Sequence, residues 1–281
     1  MHMSCLPVSL YAALSAGEMT LVGWLRLAAE LGLDGADVSV MHLADHTPAM
    51  LAAVRRQAEE CGLRIAMLVA YSDFTQTDAK ERARQRQTLE RHIATAAALG
   101  APFLRVTAGQ AHPGVSREDG IAWAVEGLTA CLDAAQAAGV TLVYENHTRG
   151  YGWAHNDFSQ PAEVFLEIVR RTQDTGLRVL FDTANTLAHG DDPLAVVRSV
   201  LPRVAAVHVN DIRRAGHFEP VIAGTGVAPI TELLRELVRS GFDGWVSVEE
   251  ASNQGEAGFR QAIPYVERIW AEAGGAARMR Q

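Results

Sequence analysis

Four residues that can bind a metal ion stand at or near the ends of four consecutive apolar runs in the second half of the sequence. They are Glu145 at the end of TLVYE, Asp182 at the end of RVLFD, His208 within AAVHVN and Glu249 at the end of WVSVE. Carboxylates held close together repel one another, so one of them takes up a proton unless a cation is present. Three carboxylates and one imidazole suit Mn²⁺, Mg²⁺ or Co²⁺, with Zn²⁺ also possible. Taken singly, each residue is equally explained as an ordinary polar strand end, but the set of four predicts one divalent metal ion.

The elements that must position these residues follow a repeated pattern of short apolar runs and longer segments. The runs are VSLYA (8–12), GADVSV (35–40), RIAMLVA (64–70), PFLRVTA (102–108), TLVYE (141–145), RVLFD (178–182), AAVHVN (205–210) and WVSVE (245–249). The intervening segments have the helical period and often end in glycine, as amphipathic helices do. Eight such units predict an α/β fold, a single (β/α)8 TIM barrel over residues 1–281. An open doubly wound sheet would need a glycine-rich phosphate loop after the first strand, and YAALSAGEMT contains none.

The alternation of side chains within a strand predicts which residues face the barrel interior. Successive side chains of a strand point to opposite faces. Glu145 follows Tyr144, whose bulk suits the layer beneath the helices, and Glu249 lies between two residues of the same outer face, Val248 and Glu250. Catalytic residues of such barrels lie where the strands end, at the carboxyl-terminal mouth. We therefore expect Glu145, Glu249 and likewise His208 to point into that mouth, and Glu250 to point away from it.

Composition narrows the class of partner. The formal net charge is −8 and the pI is about 5.7, with no long basic cluster, so nucleic acid is not the expected ligand. The only lysine, Lys80, lies in the polar segment DAKERARQRQ, which argues against Schiff-base chemistry on a strand lysine. Cys5, Cys61 and Cys131 form no disulfide framework, and neither a signal peptide nor a membrane span is apparent. We expect a cytoplasmic enzyme of a small molecule, without membrane or nucleic-acid partners.

Several segments resemble one enzyme family. They are LVYENH (142–147), LFDTANTLAHGDDP (180–193), AVHVND (206–211) and GFDGWVSVEE (241–250). In their order and spacing the chain resembles the sugar phosphate isomerase/epimerase superfamily, the xylose-isomerase-like TIM barrels that include ketose 3-epimerases, inosose dehydratases and endonuclease IV. The resemblance covers nearly the whole chain. It implies that the four residues above hold one metal ion, that Glu145 and Glu249 also move protons, and that the chain forms a homodimer or homotetramer.

The same resemblance points to two substrate-binding residues. Arg214, six residues after His208, falls where the ketose epimerases place a substrate-binding arginine. Asn185 stands where those enzymes commonly use a histidine, which departs from a ketose 3-epimerase in the narrow sense. A neutral amide can still donate a hydrogen bond to a substrate hydroxyl.

Three further candidates come from the residues themselves. His147 follows Glu145 by two and either contacts substrate or caps the loop. Trp153 belongs to the long loop NHTRGYGWAHNDFSQ (146–160), which is either an aromatic lid over a sugar ring or surface packing. Arg105, near the end of the fourth run, either binds a phosphate or carboxylate or forms a structural ion pair.

The predicted chemistry is a proton transfer next to a carbonyl group in carbohydrate metabolism. With a metal ion stabilising an enediolate, Glu145 and Glu249 would act as base and acid on a small sugar or polyol-ketone. Reprotonation gives an epimer or an isomer, and loss of a β-hydroxyl, as in an inosose dehydratase, is the alternative that uses the same site. An abasic-site DNA endonuclease is disfavoured, because that branch needs about three zinc ions and more histidines, and because the chain is acidic. A barrel that binds sugar without catalysis is the remaining alternative.

Overall fold

Eight parallel strands form one barrel within residues 1–278, the part of the chain that the computed structural model describes. The barrel strands are β1 (His2–Leu6), β2 (Gly35–Ser39), β3 (Arg64–Val69), β4 (Phe103–Val106), β5 (Thr141–Glu145), β6 (Arg178–Asp182), β7 (Val204–Val209) and β10 (Trp245–Glu249). Their order around the sheet is β1, β10, β7, β6, β5, β4, β3 and β2. The first and last of these lie side by side, where the Asp34 N–H donates to the Met3 carbonyl at 2.9 Å. The predicted (β/α)8 TIM barrel is confirmed. The single-domain prediction includes residues 279–281, which lie outside the described part.

Helices follow the strands and cover the outside of the barrel. They are α1 (Tyr11–Ala16), α2 (Leu21–Glu30), α3 (Pro48–Glu60), α4 (Ala79–Leu99), α5 (Arg117–Thr129), α6 (Leu132–Ala137), α7 (Ala162–Arg171), α8 (Asn185–His189), α9 (Pro193–Val200), α10 (Ile230–Arg239) and α11 (Gly255–Glu272). Thr47 and Asp78 cap the N-termini of α3 and α4 by accepting backbone N–H groups, as such side chains prefer to do. After β7 the chain forms an antiparallel hairpin of β8 (Asp211–Arg214) and β9 (His217–Val221). No helix in residues 1–278 is long and apolar enough to cross a bilayer.

The buried apolar residues divide into two layers, as the side-chain alternation predicts. One cluster joins residues from β1, β3, β5, β6, β7 and β10, including Leu6, Met67, Val143 and Leu180. Because it unites residues from six of the eight strands, it is the barrel interior. The neighbouring residues of those strands, such as Tyr144, belong to the larger cluster that packs the strands against the helices.

The position of the first strand was wrong in the sequence-based prediction. Residues 8–12 form a 3-10 turn over Val8–Leu10 and the start of α1, whereas β1 is His2–Leu6. Pro7 ends the strand, because its ring nitrogen has no hydrogen to donate to the sheet. The apolar character of this run has another cause: Tyr11 packs into the interior cluster. The other seven runs contain strands at or near the predicted positions.

Candidate metal centre

Four side chains converge at the carboxyl-terminal ends of β5, β6, β7 and β10. Glu145, Asp182, His208 and Glu249 each offer one ligand atom, and these atoms all lie within 4.8 Å of one another. The first three residues are fully buried, and the Glu249 side chain is 15% exposed. Access to solvent is therefore greatest on the Glu249 side of the cluster.

Strand register explains why residues so far apart in sequence meet here. Asp182 pairs with His208 across β6 and β7, and His208 pairs with Ser247 across β7 and β10. Glu249 stands two residues after Ser247, hence on the same face. Glu145 pairs with Leu180, two residues before Asp182. From one strand to the next, the candidate ligands thus stay on the inward face, and their register differs by at most two residues.

The histidine contacts two of the carboxylates through one ring nitrogen. His208 Nδ1 lies 2.9 Å from Glu145 Oε1 and 2.8 Å from Glu249 Oε2. Burial alone would lower the pKa of His208, but the hydrogen bonds and charges of these two glutamates outweigh it and raise that pKa well above its ordinary value. The two glutamates therefore favour the protonated form of this imidazole in the absence of a metal ion.

The carboxylate oxygens fit a bound cation. Asp182 Oδ1 accepts the backbone N–H groups of Ala184 and Asn185 at 2.8 and 2.7 Å. Its other oxygen, Oδ2, is buried without a hydrogen-bond partner, and so is Glu145 Oε2. Burial raises the pKa of Asp182 well above its usual range, and the nearby charges of Glu249 and Glu145 raise it further. A divalent ion would satisfy these oxygens and remove the repulsion between them.

Arg105 forms a buried ion pair at the edge of the cluster. Its Nη1 lies 3.3 Å from Glu145 Oε2, and its guanidinium carbon lies 4.4 Å from the ring centre of Tyr71. Burial raises the pKa of Glu145, but the Arg105 charge and His208 outweigh burial and hold that pKa at about 2. Arg105 Nε and Nη1 are buried without a hydrogen-bond partner. The structure thus contains the ion pair that was one of the two alternatives for Arg105. The guanidinium still has N–H groups that could donate further hydrogen bonds.

An aromatic wall stands beside this pair, formed by Tyr71, His147 and Trp153. The ring centres lie 5.9 Å apart for Tyr71 and His147, 6.2 Å for Tyr71 and Trp153, and 5.8 Å for His147 and Trp153. His147 Nδ1 is also 3.4 Å from Asp157 Oδ2. Through these contacts, His147 and Trp153 of the loop after β5 pack against Tyr71, the residue on whose ring the Arg105 guanidinium lies.

The two substrate-binding candidates taken from the resemblance differ in position. Asn185 is buried at the start of α8, where its backbone N–H fixes Asp182 and its side-chain Oδ1 has no hydrogen-bond partner. Arg214 is exposed on β8, in register with His217, and no hydrogen bond or ion pair described for residues 1–278 joins it to the cluster.

Sequence reasoning missed two buried residues, Asp37 and Tyr11, and one partly buried residue, Tyr71. Asp37 on β2 lies with its Oδ2 3.8 Å from His208 Nε2 and accepts a hydrogen bond from Ser247. Its signal in the sequence is an acidic residue inside the apolar run GADVSV. Tyr11 was hidden by the misplaced first strand, and Tyr71 lies just beyond the third run.

The fold and the cluster together define a TIM barrel with a candidate metal centre at the carboxyl ends of its strands. The chain belongs to the xylose isomerase-like TIM barrel family, whose model matches residues 25–269. The family resemblance seen in the sequence is confirmed.

The proteins to which this chain is similar include an inosose dehydratase, an L-ribulose 3-epimerase and the IolI protein. The inosose dehydratase of Bacillus thuringiensis (strain Al Hakam) is 28% identical over 159 residues, 50% of each chain, so this chain spans about half the length of that relative. The structure of L-ribulose 3-epimerase aligns with a TM-score of 0.79 and 18% identity, covering 98% of this chain and 96% of the other. The IolI protein with a zinc atom aligns with a TM-score of 0.78 and 19% identity, covering 97% and 99%. At these identities the two structures establish the shared fold.

Proposed function

We propose that the protein is a divalent-metal-dependent isomerase or epimerase of a small sugar or polyol-ketone. The observation that carries this proposal is the convergence of Glu145, Asp182, His208 and Glu249, with buried carboxylate oxygens that lack a hydrogen-bond partner. A cytoplasmic location and a dimeric or tetrameric assembly belong to the same proposal.

The four residues would hold the ion, and the donor set favours Mn²⁺, Mg²⁺ or Co²⁺. Zn²⁺ is also compatible with it, and a neighbouring structure is described with a zinc atom. When bound, such an ion supplies a Lewis acid for the carbonyl and the adjacent hydroxyl of the substrate.

Glu145 and Glu249 are proposed to move the proton. Arg105 holds Glu145 ionised, the state that accepting a proton from carbon requires, although the lowered pKa also reduces the basicity of this carboxylate. Glu249 forms no ion pair with an arginine within residues 1–278, and it borders the open side of the cluster. The α-proton taken by one glutamate leaves an enediolate. Return of a proton to the opposite face of the same carbon gives an epimer, and return to the neighbouring carbon gives an isomer.

The aromatic wall and two polar groups are proposed to bind the substrate. Tyr71, His147 and Trp153 present ring faces and edges of the kind that pack on a sugar ring, and Arg105 has unpaired N–H donors beside them. The Asn185 amide would contact a hydroxyl next to Asp182. Arg214 is exposed and apart from the cluster, so it can bind substrate only if the substrate extends to it or if the β8–β9 hairpin moves toward the cluster.

Dehydration is the second candidate reaction, because one relative of this chain is named as an inosose dehydratase. It uses the same first step, removal of the α-proton, and differs in that a β-hydroxyl then leaves as water.

The test has two stages, both on the full chain. Plasma mass spectrometry after incubation with Mn²⁺, Mg²⁺ or Zn²⁺ should find about one ion per chain. Ketoses and inososes are then incubated with the loaded protein in D2O, and deuterium uptake is measured. Glu249→Gln should slow uptake by about 10²- to 10⁴-fold, the usual contribution of a general acid or base. Glu250→Gln is the matched control, because Glu250 is an adjacent buried carboxylate that accepts hydrogen bonds from Ser252 and lies outside the cluster.

Uptake without a new dehydrated product supports epimerisation or isomerisation, whereas loss of water supports the lyase. Absence of bound metal, or unchanged uptake in Glu249→Gln, would contradict the proposal.

A further inference from the structure

His208 presents its two ring nitrogens to carboxylates on opposite sides. Nδ1 faces Glu145 and Glu249 in the metal cluster, and Nε2 faces Asp37 Oδ2 at 3.8 Å. All of this lies inside the barrel, and the side chains of His208 and Asp37 are fully buried. A neutral imidazole has one proton, and the nitrogen that binds a metal must be the one without it. The site of that proton therefore decides whether Nδ1 can serve the cluster.

Asp37 is held in place and stands apart from the four candidate ligands. Its Oδ2 accepts the Ser247 hydroxyl at 2.5 Å, and Ser247 is the residue that pairs with His208 across β10 and β7. Its other oxygen is buried without a hydrogen-bond partner. A buried carboxylate with one oxygen unsatisfied is costly, so its position behind the histidine needs a compensating role.

We propose that Asp37 is a positioning residue that accepts the Nε2–H of His208 and so directs the Nδ1 lone pair toward the metal cluster. The inference rests on the metal site of the proposed function. Outer carboxylates of this kind fix the tautomer and orientation of a ligating histidine and increase its basicity. The 3.8 Å separation exceeds the upper range of an N–H···O hydrogen bond, roughly 3.2 Å, by about 0.6 Å. A small rotation of the ring, once Nδ1 no longer donates to the two glutamates, closes that gap.

The experiment measures metal binding rather than turnover. Mn²⁺ is titrated calorimetrically into the metal-free full chain of the wild type, Asp37→Asn and Asp37→Ala. Removal of an outer-shell partner of a metal ligand typically weakens affinity by about 10- to 100-fold, and we expect Asp37→Ala to fall in that range. Asp37→Asn should weaken it less, because its carbonyl oxygen can still accept the Nε2–H. Glu250→Gln again serves as the control and should bind like the wild type.

A purely structural role for Asp37 predicts a different result. It would lower the unfolding temperature of the metal-free variants and leave their dissociation constants unchanged. The positioning role predicts weaker binding in variants whose metal-free stability is equal to that of the wild type or higher, since one buried charge has been removed. In addition, ¹⁵N spectra of the Zn²⁺-loaded wild type should assign the Nε2–H tautomer to His208.

The outcomes separate this inference from the proposed function. Dissociation constants within about twofold of the wild type in folded Asp37→Asn and Asp37→Ala, or the other tautomer in the ¹⁵N spectra, would overturn the role of Asp37 alone. Should Asp37→Ala not fold, Asp37→Asn with the tautomer assignment decides. A wild type that binds no metal would overturn the metal site and this inference together.

Discussion

Replacing Arg105 by methionine tests whether the buried ion pair beside the cluster stabilises the barrel. The change keeps an unbranched apolar stem and removes the guanidinium from its place 3.3 Å from Glu145 and 4.4 Å from the Tyr71 ring centre. Arg105 is only 2% exposed, so water does not replace the lost partner of Glu145. We expect a less stable protein in the absence of metal.

The expected loss in the free energy of unfolding is the balance of opposing contributions. Removing one partner of a buried ion pair costs about 3–5 kcal/mol. The contact with the Tyr71 ring adds up to about 2 kcal/mol when desolvated. Against this, Arg105 Nε is buried without a partner, whereas Nη1 pairs with Glu145, and an unpaired group of this kind costs about 1–3 kcal/mol. Taking the middle of each range, the net loss should be about 3 kcal/mol, or about 6–12 °C in unfolding temperature for a chain of this size.

The assay is urea and thermal unfolding of the metal-free protein, arranged as a double-mutant cycle with Glu145→Gln. The double variant should be more stable than the sum of the single changes by about 2 kcal/mol, because neither charge is then left unpaired. Arg55→Met is the control, since Arg55 pairs with Glu59 in an exposed i,i+4 contact that contributes at most about 0.5 kcal/mol. A loss below about 1 kcal/mol in Arg105→Met, or no coupling in the cycle, would refute the reasoning.

Two further predictions concern parts of the barrel away from the centre. A Cβ at Gly127 on α5 would lie 2.2 Å from Phe74 Cγ, so Gly127→Ala should destabilise the protein in urea unfolding by about 1–3 kcal/mol. Gly176→Ala is the control, because the space around a Cβ at Gly176 is open. Equal losses of stability in the two variants would contradict the packing argument. Burial lowers the pKa of His92 to about 4, and the charges of His46 and Arg91 lower it in the same direction. The folded protein thus favours neutral His92, so stability should fall as the pH drops from about 6.5 toward 4, and His92→Gln should show a shallower fall in urea unfolding at pH 7, 6 and 5. An equal slope in both proteins would exclude His92 as a cause.

The strand that ends in Glu249 illustrates what local pattern could predict. Its bounds, 245–249, agree with the structure, and alternation separates Glu249, in the cluster, from Glu250, outside it. Both features depend only on period two, which each strand carries within itself. The prediction failed at residues 8–12 because an apolar run beside the barrel mouth has the composition of a strand without being one.

The amino-acid sequence by itself determined the eight-unit barrel, the family, and the inward direction of residues at the strand ends, because periodicity and strand-end residues are local properties. Only the tertiary structure decided which groups surround those residues. The Asp37–Ser247 hydrogen bond joins positions 210 residues apart, and Arg105 meets Glu145 from the neighbouring strand. Such contacts depend on how the strands are staggered around the barrel and on how each loop folds back over its mouth. No single segment of the chain carries that information.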